Sequence, residues 1–203
     1  MYELILADIN PDLCREFERA FAGQEDVKVI CGPFQEIEKW DCIITPANSY
    51  GIMDGSFDLR VAEFFGPSLQ RSVQASLFVY HARMQAVGTS LIIETENAEH
   101  PFVAHTPTMR YPMKIAGTIN VFLAMKAALQ AILNHNDNGG GEHRQFINKV
   151  VCPGLGTATG GVPFNVAADQ MRAAYDMVFD SPRRMNWDVV REIEGKLRGG
   201  YNA

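Results

Sequence analysis

The chain is short of cysteine and shows no pattern among the cysteines it has. Cys14, Cys31, Cys42 and Cys152 are the only four in 203 residues, and no two have C-x-x-C spacing. No Cys/His cluster resembles a zinc site, so neither a disulfide scaffold nor a metal centre is implied. Three of the four lie in apolar, strand-like runs and Cys14 lies on a helical stretch. That predicts buried free thiols in a reducing cytosol. Long apolar runs are missing too: none approaches the roughly 18 residues of a membrane span. Met1-Tyr2-Glu3-Leu4 has neither the basic start nor the apolar stretch of a secretory leader. The expectation is a cytoplasmic protein with no membrane partner. Positive charge is scarce, with 18 Lys and Arg against 24 Asp and Glu, a net charge of −6. Such a balance argues against a broad grip on a nucleic-acid backbone. It leaves room for a nucleotide, whose phosphates backbone N–H groups can hold without Lys or Arg.

What is present is a core-forming composition, 47% hydrophobic and 21% charged. It predicts one domain over residues 1–203, with a linker-like loop at about 134–144 and a frayed tail at about 199–203. Leu4 to Ala7 reads as a strand, and Asn10-Pro11-Asp12 as the cap, first turn and acid of a helix that stops near Gly23. Val27 to Cys31 and Cys42 to Ile44 read as strands, and Phe57 to Phe65 and Ser68 to Met84 as helices. Leu91 to Ile93 and Phe102 to His105 form an adjacent strand pair around the turn at Asn97 to His100. Ala116 to Asn134 is a long amphipathic helix, and Trp187 to Leu197 a last short one. Strands alternating with helices predict an α/β fold with a mostly parallel central sheet between helical layers, a three-layer α/β/α sandwich.

The informative stretch is Val150 to Phe179. An apolar run, Val150-Val151-Cys152, breaks into Pro153-Gly154-Leu155-Gly156-Thr157-Ala158-Thr159-Gly160-Gly161-Val162-Pro163, and a helical pattern follows. Strand, glycine loop and helix in that order can converge N–H groups on an anion, with the helix start adding partial positive charge. A plain glycine-rich turn is the other reading. A second loop of small and polar residues, Thr45 to Asp58, leaves another strand. In open α/β sheets ligands sit beyond the carboxyl ends of the strands, so the two loops could grip one anionic ligand from two sides.

Together these residues resemble a family. Ile44-Thr45-Pro46-Ala47-Asn48-Ser49 followed by Asp54-Gly55-Ser56-Phe57-Asp58 is similar to the first signature of the macrodomain, the ADP-ribose-binding module. Cys152 to Pro163 is similar to its second, and Gly88-Thr89 with Val103-Ala104-His105-Thr106 resembles the block between. The blocks run in order from about Val27 to Phe179. The resemblance implies that Asn48 hydrogen-bonds the distal ribose and that Asp58 helps position or activate a water near the anomeric carbon. It places Gly55, Ser56 and Phe57 along the first phosphate-side loop. Gly154, Leu155, Gly156, Thr157, Ala158, Thr159, Gly160 and Gly161 fall along the second, around the diphosphate. No cofactor is implied.

The chain also departs from the pattern. The Asp that usually follows the second strand's glycine and binds adenine is replaced by Pro33-Phe34, with Asp8 the nearest substitute. The glycine triplet is replaced by Asp54-Gly55-Ser56, and the usual aromatic of the second loop by Gly160, leaving Phe57, Phe164 or Tyr111 to give apolar cover. Structural readings stand beside the functional ones. Asn48 is also a turn residue, Asp58 also a helix-start acid, His105 a satisfied polar residue and Cys152 a buried inert thiol. The resemblance therefore implies an enzyme acting on ADP-ribose or an ADP-ribosylated substrate, hydrolysing an ADP-ribosyl linkage or a phosphate at the distal ribose. The alternatives are a non-catalytic module that senses such a nucleotide and a structural protein that has lost the ligand.

Overall fold

Six short segments rich in Val, Ile, Leu and Cys pair into one sheet in the computed structural model, which describes residues 2–137, 145–180 and 184–199. They are β1 (Glu3–Asp8), β2 (Val27–Cys31), β3 (Cys42–Asn48), β4 (Leu91–Glu94), β5 (Phe102–Met109) and β6 (Lys149–Cys152). The order across the sheet is β2-β1-β6-β3-β5-β4. Every pairing is parallel except β4 with β5, which is antiparallel around the tight Asn97 to His100 turn. The carboxyl ends of β1, β2, β3, β5 and β6 therefore share one edge.

Side chains alternate across the sheet with period two and feed two cores. Leu4, Leu6, Cys42, Ile44, Val150 and Cys152 face α1 (Pro11–Ala20), α4 (Asn120–Asp137) and α5 (Phe164–Phe179). Ile5, Ala7, Ile43, Val103 and Val151 face α2 (Ser56–Phe65), α3 (Ser68–His81) and an aromatic group built on Phe34 and Trp40. The result is the expected α/β/α sandwich. A final helix, α6 (Trp187–Gly199), packs Leu197 and Ile193 against the first core.

Element ends differ from the sequence pattern where tertiary bonds decide them. Helix α3 stops at His81 rather than Met84, because Ala82 and Arg83 turn left-handed and the Arg83 N–H returns to the Leu77 carbonyl at 3.0 Å. Helix α4 begins four residues late: Gly117 has φ +84° and the Thr118 hydroxyl accepts the Asn120 N–H. The same helix runs on to Asp137, where the Asn136 amide bonds both N–H and C=O of Ile147 and the His135 ring stands edge-on to Phe102. The expected loop therefore begins later, and its centre at 138–144 lies outside the described residues, as does the tail beyond 199. One thiol corrects the expectation of burial. Cys31 is exposed because β2 is an edge strand with its last residue at the sheet rim, whereas Cys14, Cys42 and Cys152 are buried.

Candidate functional site

Strand β3 ends on Asn48, whose amide organises the loop behind it. Asn48 Oδ1 accepts the Tyr50 N–H at 3.0 Å and lies 3.4 Å from the Ile52 N–H, and Nδ2 donates to the Ile52 carbonyl at 2.7 Å. Met53 is buried and its N–H donates to Gln70 Oε1 of α3, which ties the loop to the helix layer. The chain then enters α2 through Gly55. Ser56, at the first helical position, has φ +51°, a left-handed conformation that a non-glycine residue holds only at a cost of about 1–3 kcal/mol. Asp58, in the first turn, is 7% exposed and its Oδ1 has no hydrogen-bond partner.

The second loop follows β6. Gly161 N–H bonds the Ala158 carbonyl and Val162 N–H the Gly156 carbonyl, both at 3.1 Å, so the loop closes on itself. Gly156 holds φ +70°, and a Cβ on Gly160 would lie 2.4 Å from the Gly156 carbonyl oxygen. Both positions require glycine. The N–H groups of Thr157, Ala158, Thr159 and Gly160 have no acceptor among the described residues. The Gly160 carbonyl accepts the Ile115 N–H, and Lys114 packs over Gly161 from the same segment.

The two loops meet. Ser56 Oγ and Thr159 Oγ1 are 3.4 Å apart, and the loops line one open cleft of about 150 Å³. Of the residues expected from sequence, Asn48, Gly55, Ser56, Phe57, Asp58, Gly154, Gly156, Thr157, Ala158, Thr159 and Gly160 line it. Leu155 does not, because its side chain is fully buried in the first core; Gly161 turns away beneath Lys114. Phe57, Met109 and Pro112 give the apolar cover, while Tyr111 and Phe164 are not among the lining residues.

Three aspartates, Asp8, Asp54 and Asp58, reach the cleft, and no Lys, Arg or His is among its described lining residues. Burial first, and the Asp54 carboxylate second, raise the Asp58 carboxyl from 3.8 to about 7. Asp8 is held by the Asn10 N–H at 2.9 Å and the Gly154 N–H at 3.3 Å, so it shapes the glycine loop as well as facing the cleft. Thr108 and Met109 at the end of β5 also line it, and the Thr108 hydroxyl is buried without a partner. Sequence reading stopped that strand at His105; the unbroken burial of residues 102–109 is a property of the central sheet, hidden from local pattern by Pro107 and the threonines.

His105 stays off the cleft. It is fully buried, its Nδ1 donates to Gln85 Oε1 at 2.7 Å, and Gln85 Nε2 returns to the His105 carbonyl. Burial, with His81 second, lowers it to about 4, so the ring is neutral. Cys152 is fully buried, and burial raises its thiol far above the ordinary range, consistent with an inert role. Among the described residues no group of three or more His, Cys, Asp or Glu converges as metal ligands, and no helix is long and apolar enough to cross a membrane.

A Macro domain family model matches residues 44–171, more than half of the chain. An uncharacterized protein of Aquifex aeolicus (strain VF5) is 29% identical over 146 residues, which span 72% of this chain and 78% of that one. The fold is similar to the macrodomain of Mycobacterium tuberculosis DarG, with TM-score 0.58, 14% identity, and 72% of this chain and 88% of that chain covered. It is also similar to a variant of the Oceanobacillus iheyensis macrodomain with ADPR, with TM-score 0.55, 16% identity and coverages of 69% and 72%. Thermosipho africanus DarTG in complex with ADP-ribose has TM-score 0.56 at 13% identity, covering 96% of this chain and 57% of that one. At these identities the structural likeness is one of fold.

Proposed function

Since the chain belongs to the Macro domain family, we propose that its cleft binds ADP-ribose or a related nucleotide and that it hydrolyses an ADP-ribosyl linkage or a phosphate at the distal ribose. The observation that carries the reading is the meeting of the two loops around one cleft with Asp58 buried and unpartnered in its wall. In this reading the free N–H groups of Thr157 to Gly160 take the diphosphate oxygens. Backbone donors suit this site, since no cationic side chain is among its described lining residues. Asn48 keeps one Nδ2 hydrogen beyond its bond to Ile52, and that hydrogen is directed to a hydroxyl of the distal ribose. Asp58, once ionised, takes a proton from a water at the anomeric carbon, help of the kind worth about 10²–10⁴-fold.

Calorimetric titration with ADP-ribose tests the binding, and incubation with an ADP-ribosylated protein and with ADP-ribose 1″-phosphate tests the chemistry. Asp58→Ala is expected to keep binding and lose turnover. Undiminished turnover in that variant would remove Asp58 from the mechanism. A reader module is the second reading, favoured by the engagement of the Asn48 amide within its own loop and by the bulk of Asp54 and Ser56 where the family has glycine. Tight binding without turnover on any conjugate selects it.

A further inference from the structure

Two of the four cysteines lie against one residue, Asp8, at the rim of the sheet. Cys31 ends β2 and pairs in register with Asp8 at the end of β1. Cys14 lies in the first turn of α1, and its thiol donates to the Asp8 carbonyl at 3.2 Å. The same carbonyl accepts the Gly32 N–H at 2.9 Å. The Cys14 thiol and the backbone N–H that follows Cys31 thus meet at one carbonyl oxygen, which sets the two cysteines next to each other across Asp8. Their exposures differ: Cys31 is exposed and Cys14 is buried. A small oxidant can reach the first, and the second stands behind it. Cys42 and Cys152 are fully buried in the larger core.

The position of this pair connects it to the cleft. Asp8 lines the cleft and its carboxylate holds the Gly154 N–H. Leu13, the neighbour of Cys14, packs beneath Gly154, its Cδ2 2.4 Å from where a Cβ on that glycine would stand. The first turn of α1 is therefore the floor of the glycine loop.

We propose that Cys14 and Cys31 close an intramolecular disulfide when met by a low-molecular-weight disulfide such as oxidised glutathione, and that closure weakens the hold of the glycine loop on its ligand. The Cys31 thiolate attacks one sulfur of the oxidant, forming a mixed disulfide and releasing one glutathione thiolate. Cys14, as thiolate, attacks Cys31 Sγ, the internal bond forms and the second glutathione leaves. The two protons given up by the cysteines end on the two glutathiones, and two electrons pass from the thiol pair to the oxidant. Burial pushes the Cys14 thiol up to about 12, which makes the second step the slow one. Sulfurs in a disulfide stand about 2.05 Å apart, closer than thiols in contact. Closure therefore draws the start of α1 toward β2, takes Cys14 off the Asp8 carbonyl and shifts Leu13 under Gly154. The coupling to ligand rests on the nucleotide reading above; the disulfide does not.

The test starts from the reduced full chain incubated with oxidised glutathione, followed by intact mass and a non-reducing peptide digest. The expected result is loss of two hydrogens and a cross-linked peptide carrying Cys14 and Cys31. A persistent glutathione adduct on Cys31, or no reaction at all, overturns the bridge. ADP-ribose is then titrated into the reduced and oxidised forms. The oxidised form is expected to bind roughly 5- to 100-fold more weakly, the range of ordinary two-site coupling. Dithiothreitol is expected to restore affinity, and Cys31→Ser to be indifferent to the oxidant. Equal affinity of the two forms overturns the coupling. Binding by neither form would sink the nucleotide reading and the coupling with it, while the mass measurement still decides the bridge.

Discussion

A carboxyl group buried in the first turn of α2 must either ionise against its surroundings or keep its proton. Asp58 is 7% exposed, and its folded value of about 7 stands above the ordinary 3.8. Below about pH 3.8 both folded and unfolded chains carry the proton and the group has no effect on stability. As pH rises, the unfolded chain ionises first, so stability falls until the folded group ionises near 7. Asp58→Asn is therefore expected to raise unfolding stability at pH 8 by roughly 2–4 kcal/mol, with little change at pH 4. Denaturant melts at the two pH values check this, and an equal effect at both would refute the burial argument. The same value predicts that turnover rises with pH through about 7 and then levels. Asp54→Asn removes the second cause of the shift, so the rising limb should move to lower pH. A pH–rate profile that does not move would show that Asp54 does not act on Asp58. Neither the burial of Asp58 nor its pairing with Asp54 was legible in the sequence. An acid four residues after another at a helix start looks like an exposed cap until the cleft wall closes around it.

At the scale of elements, the local order strand, glycine loop, helix was legible because each signal is short-range: an apolar run, glycines where φ must be positive, then apolar spacing near 3.6. Most residues of the two loops that were named from sequence line the cleft, and none of that placement needed a long-range contact to be foreseen. The ends of α3 and α4 did not, because Ala82 and Arg83 in the left-handed region and the Asn136 bonds to Ile147 depend on contacts far away in sequence. Cys31 was misjudged similarly, since an edge strand and a central strand share one composition. Gly160 tests how far the second loop is fixed. A Cβ there meets a backbone oxygen at 2.4 Å and Ile115 Cγ1 at 2.8 Å, and backbone cannot rotate away as a side chain does. Gly160→Ala is expected to cost about 1–3 kcal/mol of stability, as overpacking does. It should also weaken ADP-ribose binding at least tenfold, about 1.4 kcal/mol. Unchanged affinity on calorimetry would mean that the N–H groups of this loop do not hold the ligand.

Over the whole molecule, the sheet separates support from function. Its order, β2-β1-β6-β3-β5-β4, inserts the first strand between the second and the sixth. That insertion brings Asp8, from outside the family-matched segment, against Gly154 within it. Local pattern could not supply this order, because strand neighbours far apart in sequence leave no periodic trace. Both cores lie on the faces of the sheet, whereas the cleft lies at the carboxyl edge. A cavity in a face should therefore reduce stability without touching the ligand. Leu129 is a direct test: it is fully buried in α4 within the first core and is not among the cleft residues. Leu129→Ala is expected to lose about 2–5 kcal/mol, the transfer energy plus the cavity left behind. The affinity of the folded fraction should stay within roughly twofold, since well-separated sites usually add within about half a kcal/mol. Thermal melts and titration below the transition read the two quantities separately. A fall in affinity comparable to that of Gly160→Ala would show that the packing of α4 reaches the loops, and that the edge of the sheet is not independent of its faces.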